Sequence, residues 1–167
     1  MNNTQALEEQ MDVLKNKKAR DWLFQRISFR KAALGNISQF CIKEVLEKDR
    51  NISNFRCGQD EYGEPDFIYE YRGKEIRHEH KRADTKSTKG IITVDYQKTR
   101  RTVPERLYLI EHCDVVSVDV SLHTGKINDF RYTRSKKLRK HHEYKDRAAS
   151  TQCVNNWKSS LLEALNE

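Results

Sequence analysis

The sequence contains little proline, glycine or cysteine, and each shortage excludes a class of protein. Two prolines and six glycines among 167 residues leave no Pro-rich or Gly-rich linker, which favours one continuous domain. The four cysteines are far apart and form no Cys-x-x-Cys pair, so neither a zinc ribbon nor a redox motif is expected. We expect four reduced, mostly buried thiols, which is typical of free cysteines.

Long apolar segments are also missing. The first ten residues, MNNTQALEEQ, lack the apolar core of a signal peptide. No run approaches the ~20 apolar residues that a membrane span requires. We therefore expect a soluble, intracellular protein of the cytoplasm, without a membrane partner.

Positive charge is abundant and unevenly distributed. The net charge is +7. Residues 1–66 contain 11 basic and 11 acidic residues, whereas residues 67–167 contain 21 and 14. The densest stretch, residues 131–147, has eight basic and two acidic residues. This excess favours a polyanionic partner such as nucleic acid, although a basic stretch is also compatible with an ordinary solvated surface.

The order of predicted elements indicates a mixed α/β domain. Helical spacing over residues 5–49 predicts two helices with a break at Gly35-Asn36. Strands are predicted at 52–57, 66–72, 74–82, 114–122 and 127–133, and helices from Pro104 and over 148–165. We expect one domain over residues 1–167, in which a central mixed sheet is flanked by helices. Its parts are N-terminal helices (1–49), a sheet core (52–133) and a C-terminal helix (148–166).

One predicted hairpin brings three charged side chains together. A two-residue turn at residues 72–73 pairs residues whose numbers sum to 145, so Asp66 lies opposite Glu79. Directly opposed residues share a face, with Cβ atoms roughly 4.5–5.5 Å apart, and Lys81 points to that same face. Two opposed carboxylates repel, and a divalent cation would remove that repulsion. Mg²⁺ prefers oxygen ligands and commonly uses one or two carboxylates with water and phosphate.

These residues resemble the signature of the PD-(D/E)XK nuclease superfamily. The similarity consists of Pro65-Asp66, a gap of twelve residues, and Glu79-His80-Lys81. In that family the Asp lies on one strand of a hairpin and the E-x-K on the next, with helices on either side. The resemblance implies a restriction endonuclease-like core in which Asp66 and Glu79 bind Mg²⁺, or Mn²⁺ in its place, and Lys81 completes the site. It also implies an acidic residue from the preceding helix, for which Glu44 is the candidate and Glu47 the substitute.

The resemblance implies a Mg²⁺-dependent DNA endonuclease, of the type II restriction class, from a prokaryote or a phage. Cutting both strands of double-stranded DNA suggests a homodimer with one site per strand. Two alternatives stay open: a structure-specific nuclease such as a junction resolvase or repair nickase, and a DNA-binding module without catalysis. The expected DNA contacts are Lys86, Lys89, Lys98, Arg100, Arg101, Arg134, Lys136, Lys137, Arg139 and Lys140.

The other face of the same predicted strand is less apolar than in most members of the superfamily. It contains Ile76, His78, His80 and Arg82. His78 and His80 alternate on one face and give a second, weaker candidate site for a transition metal. Gln97-Lys98 is expected at the start of the helix that follows the site, or in a solvated turn.

Overall fold

The computed structural model describes residues 12–59, 63–85, 87–98 and 102–167. The contacts divide the chain into two units, residues 1–37 and residues 38–167. No helix in the described ranges is long and apolar enough to cross a membrane.

The first unit is helical where it is described. A 3-10 helix, Asp12–Lys15, precedes helix α1, Lys17–Gln25. The side chain of Asn16 accepts hydrogen bonds from the first backbone N–H groups of α1, which is the usual role of an N-cap asparagine. The extended backbone of Arg26 ends α1.

Helix α2, Ile27–Glu47, starts directly after this break and continues into the second unit. The helix runs through Gly35-Asn36, so the predicted break at that position is wrong. A glycine costs a helix only about 1 kcal/mol relative to alanine, which does not suffice to end it. Ser38, Ile42 and Leu46 follow one another at four-residue spacing and form the buried face of α2.

The second unit is built on a five-stranded mixed sheet. The strands of the unit are β1 Ile52–Cys57, β2 Phe67–Tyr71, β3 Lys74–Arg82, β4 Thr93–Asp95, β5 Val115–Asp119, β6 Phe130–Arg134 and β7 Thr151–Cys153. The central sheet has the order β1-β2-β3-β5-β6, in which only β3 and β5 are parallel. Strands β4 and β7 form a separate antiparallel pair. The mixed α/β fold predicted from the sequence is confirmed.

The two faces of the central sheet have different covers. On the face that includes Tyr69 and Val115, here called the helix face, α2 packs together with the C-terminal helix, Leu161–Leu165. On the opposite face, here called the loop face, Val116 and Val118 pack in a cluster with Val94 of β4 and with apolar residues of the surrounding loops. Because the side chains of a strand alternate, successive residues of β3 and β5 belong to different faces.

Of two further predicted helices, one is absent from the described residues and the other is much shorter than predicted. The stretch after Pro104 forms turns and a 3-10 helix, Ile110–His112, because Leu107 and Leu109 pair with other segments in isolated bridges. The stretch 148–165 contains β7 and only one short helix, α4, at Leu161–Leu165. Two further short helices complete the unit: α3, at Ser121–Thr124 between β5 and β6, and a 3-10 helix at Ser135–Lys137.

The cysteines are less buried than expected. All four are free thiols, but only Cys113 is buried. Cys41 is half-buried, and Cys57 and Cys153 are exposed. The prediction of mostly buried thiols is therefore wrong.

Candidate active site

The β2–β3 hairpin has the register that the sequence predicts. Tyr71 pairs with Lys74, and Phe67 pairs with His78, so paired numbers sum to 145. The turn residues Arg72 and Gly73 have φ values of 51° and 70°, the left-handed conformation that a tight two-residue hairpin turn requires. Asp66 lies one residue before β2 and continues the register towards Glu79.

Asp66 is held in place by three different parts of the chain. Its Oδ1 accepts a hydrogen bond of 2.8 Å from Gln39 on α2, and its Oδ2 accepts one of 2.7 Å from the backbone N–H of His80. Its backbone oxygen accepts from the N–H of Gly58 at 2.9 Å. A Cβ at Gly58 would lie 1.8 Å from the Pro65 oxygen, so this close approach requires glycine.

Glu79 and Lys81 form an ion pair on the loop face. The Lys81 ammonium donates to Oε1 of Glu79, while His112 Nε2 lies 3.2 Å from Oε2. The Glu79 side chain is 5% exposed and that of Lys81 is 22% exposed, so the lysine side of the pair is the side open to solvent. A buried carboxylate is tolerated here because charged and polar partners surround it.

Both members of this pair are charged. Burial alone would raise the pKa of Glu79, but Lys81 and the hydrogen bond with His112 outweigh burial and hold the pKa well below its usual range. Burial would lower the pKa of Lys81, but the carboxylates of Glu79 and Asp66 raise it above its usual value. The ammonium of Lys81 is therefore influenced by both carboxylates of the predicted site.

Tyr108 and His112 are members of this cluster that the sequence did not reveal. The Tyr108 ring centroid is 5.2 Å from Lys81 Nζ and 5.5 Å from Lys98 Nζ, and the ring packs on that of His112 with centroids 4.7 Å apart. Both residues precede β5 and reach Glu79 only because β3 and β5 are neighbours in the sheet. No local spacing signals this contact. The only available clue was an aromatic residue and a histidine shortly before the strongest predicted strand.

The structure does not bring Glu44 into the cluster. Its carboxylate accepts a hydrogen bond of 2.7 Å from Lys48, and that of Glu47 accepts one from Lys43. Both are exposed pairs between neighbouring turns of α2. The residue of α2 that contacts Asp66 is Gln39, so the helix contributes an amide where the resemblance implied a carboxylate.

On the helix face, His78 and His80 are fully enclosed. Burial lowers the pKa of His78 to about 3. Burial also lowers the pKa of His80, as does the proximity of His78 and of the Lys81 ammonium. All four ring nitrogens lie within 3.0 Å of a hydroxyl oxygen: Tyr69 and Ser117 for His78, and Ser117 and Ser38 for His80. Because these nitrogens are already used, the alternative of a transition-metal site at His78 and His80 has no support.

The basic residues named as DNA contacts have different surroundings. Lys89, Lys136 and Lys140 are exposed. Lys98 is half-buried beside Tyr108, and Gln97 forms an isolated bridge with Leu107, so neither of these two described residues lies in a helix. Three others contact their own chain: Arg134 donates to Leu165 O, Lys137 pairs with Glu167, and Arg139 donates to Thr151 O. Lys86, Arg100 and Arg101 lie outside the described residues.

A cleft of about 500 Å³ lies at the end of the sheet where β3 and β5 begin. Its basic lining residues are Arg77, Arg134 and Lys136. None of Asp66, Glu79 and Lys81 lines it. The cleft and the charged cluster are therefore separate features, and the geometry of the cluster gives the better guide to chemistry.

The charged cluster contains two carboxylates, the ligand type that a hard divalent cation prefers, and each of their four oxygens already has a partner within the chain. Asp66 and Glu79 supply carboxylate oxygens, and a positive charge, the Lys81 ammonium, is already stabilised beside both of them. In the part of the chain that the structure describes, no group of three or more His, Cys, Asp or Glu side chains forms a metal-binding cluster. Mg²⁺ would therefore have to rely on two carboxylates with water and phosphate, as it commonly does.

No protein-family model matches the chain, and no curated protein or solved structure is significantly similar to it. The case for a function therefore depends on the residues and the geometry described above.

Proposed function

We propose that this chain is a Mg²⁺-dependent nuclease of the PD-(D/E)XK type that hydrolyses phosphodiester bonds in double-stranded DNA. The observation behind the proposal is the hairpin register, which brings Asp66 beside the strand that contains Glu79 and Lys81. A one-residue slip would send Glu79 and Lys81 to the helix face and separate them from Asp66. The net charge of +7 supports a polyanionic substrate.

Each residue of the cluster has a role in this reaction. Asp66 and Glu79 would hold the metal, and Mn²⁺ is expected to replace Mg²⁺. When bound, a divalent cation would act as a Lewis acid that lowers the pKa of a water molecule and neutralises charge on the phosphate. Lys81 orients the attacking water or stabilises the charge that develops on the phosphoryl oxygens.

The surroundings of Glu79 help to prepare the site. His112 contacts one carboxylate oxygen of Glu79 and Lys81 the other, so the carboxylate has a fixed orientation. Lys98 contacts the same Tyr108 ring as Lys81, with its Nζ 5.5 Å from the ring centroid. We assign to Lys98, and to the exposed Lys136 and Lys140, contacts with DNA phosphates.

A type II restriction endonuclease is the proposed member of this class. Such an enzyme cuts both strands, and a homodimer with one site per strand is the simplest arrangement that does so. A junction resolvase or a repair nickase would use the same residues on branched or nicked DNA.

One observation favours a second candidate, a DNA-binding domain without catalysis. Both oxygens of Glu79 already have partners within the chain, Lys81 and His112, so the pair is stable without a metal. In that case Asp66, Glu79 and Lys81 would only stabilise the fold. DNA binding would then need no Mg²⁺.

The decisive experiment compares matched variants of strand β3. Purified protein is incubated with supercoiled, linear and branched DNA in Mg²⁺, Mn²⁺ or EDTA. Lys81→Ala is compared with Lys74→Ala, and Glu79→Gln with Glu75→Gln, because Lys74 and Glu75 are exposed at the turn end of the same strand. Circular dichroism checks that each variant is folded, and calorimetry measures Mn²⁺ binding.

We expect metal-dependent cutting that the variants at Lys81 and Glu79 abolish and the two control variants retain. Discrete fragments from linear DNA would indicate a restriction enzyme, and cutting confined to branched DNA would indicate a resolvase. Metal-independent DNA binding without cutting on any substrate would favour the non-catalytic domain. Cutting that survives both substitutions would show that this cluster is not the active site.

A further inference from the structure

Five buried polar side chains form a continuous chain of hydrogen bonds beneath the candidate site. Tyr69 Oη is 3.0 Å from His78 Nδ1, and His78 Nε2 is 2.7 Å from Ser117 Oγ. The same Ser117 oxygen is 2.8 Å from His80 Nδ1, and His80 Nε2 is 2.7 Å from Ser38 Oγ. The chain connects β2, β3, β5 and α2, and all five residues are buried. We call it the Ser117 network.

The number of protons limits the network to two arrangements. A neutral histidine has one N–H and one acceptor nitrogen, and the serine hydroxyl has one hydrogen. Ser117 can therefore donate to one histidine while it accepts from the other. If it donates to His80 Nδ1, both histidines are protonated on Nε2. If it donates to His78 Nε2, both are protonated on Nδ1.

Any mixture of tautomers leaves a buried group without a partner. With His78 protonated on Nδ1 and His80 on Nε2, Ser117 faces two acceptors with one hydrogen. In the opposite mixture it faces two donors, and its own hydrogen has no acceptor in the network. An unsatisfied buried polar group costs about 1–3 kcal/mol, so the two rings should share one tautomer.

The network reaches the candidate site through His80. The His80 side chain bonds to Ser117 and Ser38, and its backbone N–H donates to Asp66 Oδ2 at 2.7 Å. Glu79 and Lys81 are the two neighbours of His80 in the chain. A shift of the His80 backbone therefore changes the positions of Glu79 and Lys81 relative to Asp66.

We propose that Ser117 is a positioning residue of this site, which acts through His80 to hold the hydrogen bond between β3 and Asp66. The expected effect of Ser117 on DNA cutting rests on the proposed nuclease function. Its effect on the hydrogen bond between His80 and Asp66 does not. Replacing Ser117 by alanine removes the shared hydroxyl, so His78 Nε2 and His80 Nδ1 both lose their hydrogen-bond partner. We expect the rings to turn towards new partners and to shift the backbone of β3 at His80.

Nuclear magnetic resonance tests the structural part directly. In the wild-type protein, ¹⁵N shifts of the imidazole rings should give the same tautomer for His78 and His80. The His80 amide proton should be shifted far downfield by its short bond to a carboxylate. Opposite tautomers, or an ordinary amide shift for His80, would overturn the proposal.

Variants then test the connection to Asp66. Ser117→Ala should move the His80 amide signal upfield and reduce the cutting rate about tenfold or more, the usual effect of removing a group that orients a metal ligand. Ser117→Thr, which keeps the hydroxyl, should retain both. Tyr71→Phe is the control, because it removes a hydroxyl from the same face of β2 that bonds to Asn166 outside the network.

The outcomes separate the two proposals. An unchanged His80 amide in a folded Ser117→Ala variant would overturn the positioning role, whatever the activity. If Ser117→Ala does not fold, Ser38→Ala replaces it, since that change removes one of the two hydroxyl partners of the His80 ring and leaves the other in place. If the wild-type protein does not cut DNA, the nuclease function fails while the amide and tautomer measurements still decide the role of Ser117.

Discussion

Strand β3 has two faces with opposite electrostatic behaviour, although both are buried. On the loop face, Glu79 and Lys81 are both charged: Lys81 lowers the pKa of Glu79, and Glu79 raises the pKa of Lys81. On the helix face, His78 and His80 alternate with them but are both neutral. The two faces are similarly buried, so the hydrogen-bonding and charged partners of each side chain determine its protonation state. A carboxylate and an ammonium stabilise each other's charge. Two imidazoles with hydroxyl partners have no opposite charge nearby that would stabilise a proton, and they stay neutral.

Acid should disturb the helix face first, and this is the largest effect that we expect. The pKa values of His78 and His80 are lower in the folded state than the ordinary 6.5, so the unfolded chain binds more protons below pH 6.5. Their stabilisation is full above pH 6.5 and is lost as the pH falls towards the folded pKa of His78, about 3. For His78 the loss at pH 5 is about 2 kcal/mol relative to pH 8, and His80 adds to the loss in the same direction.

Urea unfolding between pH 8 and pH 5 measures this loss. The pKa of Glu79 is also lowered, but its share is lost only below its ordinary value of 4.5, so pH 5 isolates the histidines. His78→Asn should halve the pH dependence, and His142→Asn, at an exposed position, should leave it unchanged. A pH dependence that is equal in all three proteins would contradict the assignment to the helix face.

Removing the ammonium should disturb the loop face. Lys81→Met leaves the Glu79 carboxylate buried without its main charged partner, and we expect a loss of about 3 kcal/mol in the free energy of unfolding at pH 7. Adding Glu79→Gln should restore much of it, because no buried charge then remains. Lys74→Met, at the exposed end of β3, should cost no more than about 0.5 kcal/mol.

These three proteins are compared by chemical denaturation. If Lys81→Met lowers the free energy of unfolding no more than Lys74→Met does, the contact with His112 suffices to stabilise the buried Glu79 side chain. The ion pair with Lys81 would then not be needed. If the second substitution gives no recovery, the loss comes from packing of the lysine stem.

The smallest effect compares two buried tyrosine hydroxyls, one on each face. Tyr96→Phe removes a weak contact of 3.5 Å with the sulfur of Cys113 and should cost about 0.5 kcal/mol. Tyr69→Phe leaves His78 Nδ1 without its partner and should cost about 1–2 kcal/mol. Thermal unfolding at pH 7 provides the measurement, and equal losses would mean that the Ser117 network adds no more than an isolated hydrogen bond.

The parts of the fold with local signals were predictable from the sequence. Strands β1 and β3 have the predicted bounds, and the hairpin register followed from two turn residues and the numbering of a two-residue turn. For that reason the sequence predicts that Asp66 lies opposite Glu79 and that Lys81 shares the face of Glu79. The helical spacing predicts most of α2, but the break lies at Arg26 and not at Gly35, because a single glycine does not suffice to end a helix.

The parts that depend on distant contacts were not predictable. The apolar spacing of Val154, Leu161 and Leu165 resembles a helix, and all three are buried, yet the backbone before α4 pairs elsewhere. The side chain of Gln152 helps to fix this extended backbone. Its Oε1 accepts from the N–H of Arg139, and its Nε2 donates to the carbonyl oxygen of Arg139. His112, Tyr108 and Gln39 joined the site through sheet neighbours and helix packing, for which sequence spacing gives no signal.

Strand β1 forms one edge of the central sheet, and its irregular backbone has a consequence for association. Its pairing with β2 shifts between Ser53 and Arg56, where Asn54 has a φ of 51° and its side chain is fixed to Glu70. An edge with such a bulge is a poor template for another strand, so it protects against aggregation through sheet extension. Substitutions that restore regular pairing along β1 should therefore make the protein more prone to aggregate, whereas substitutions that keep the bulge should not.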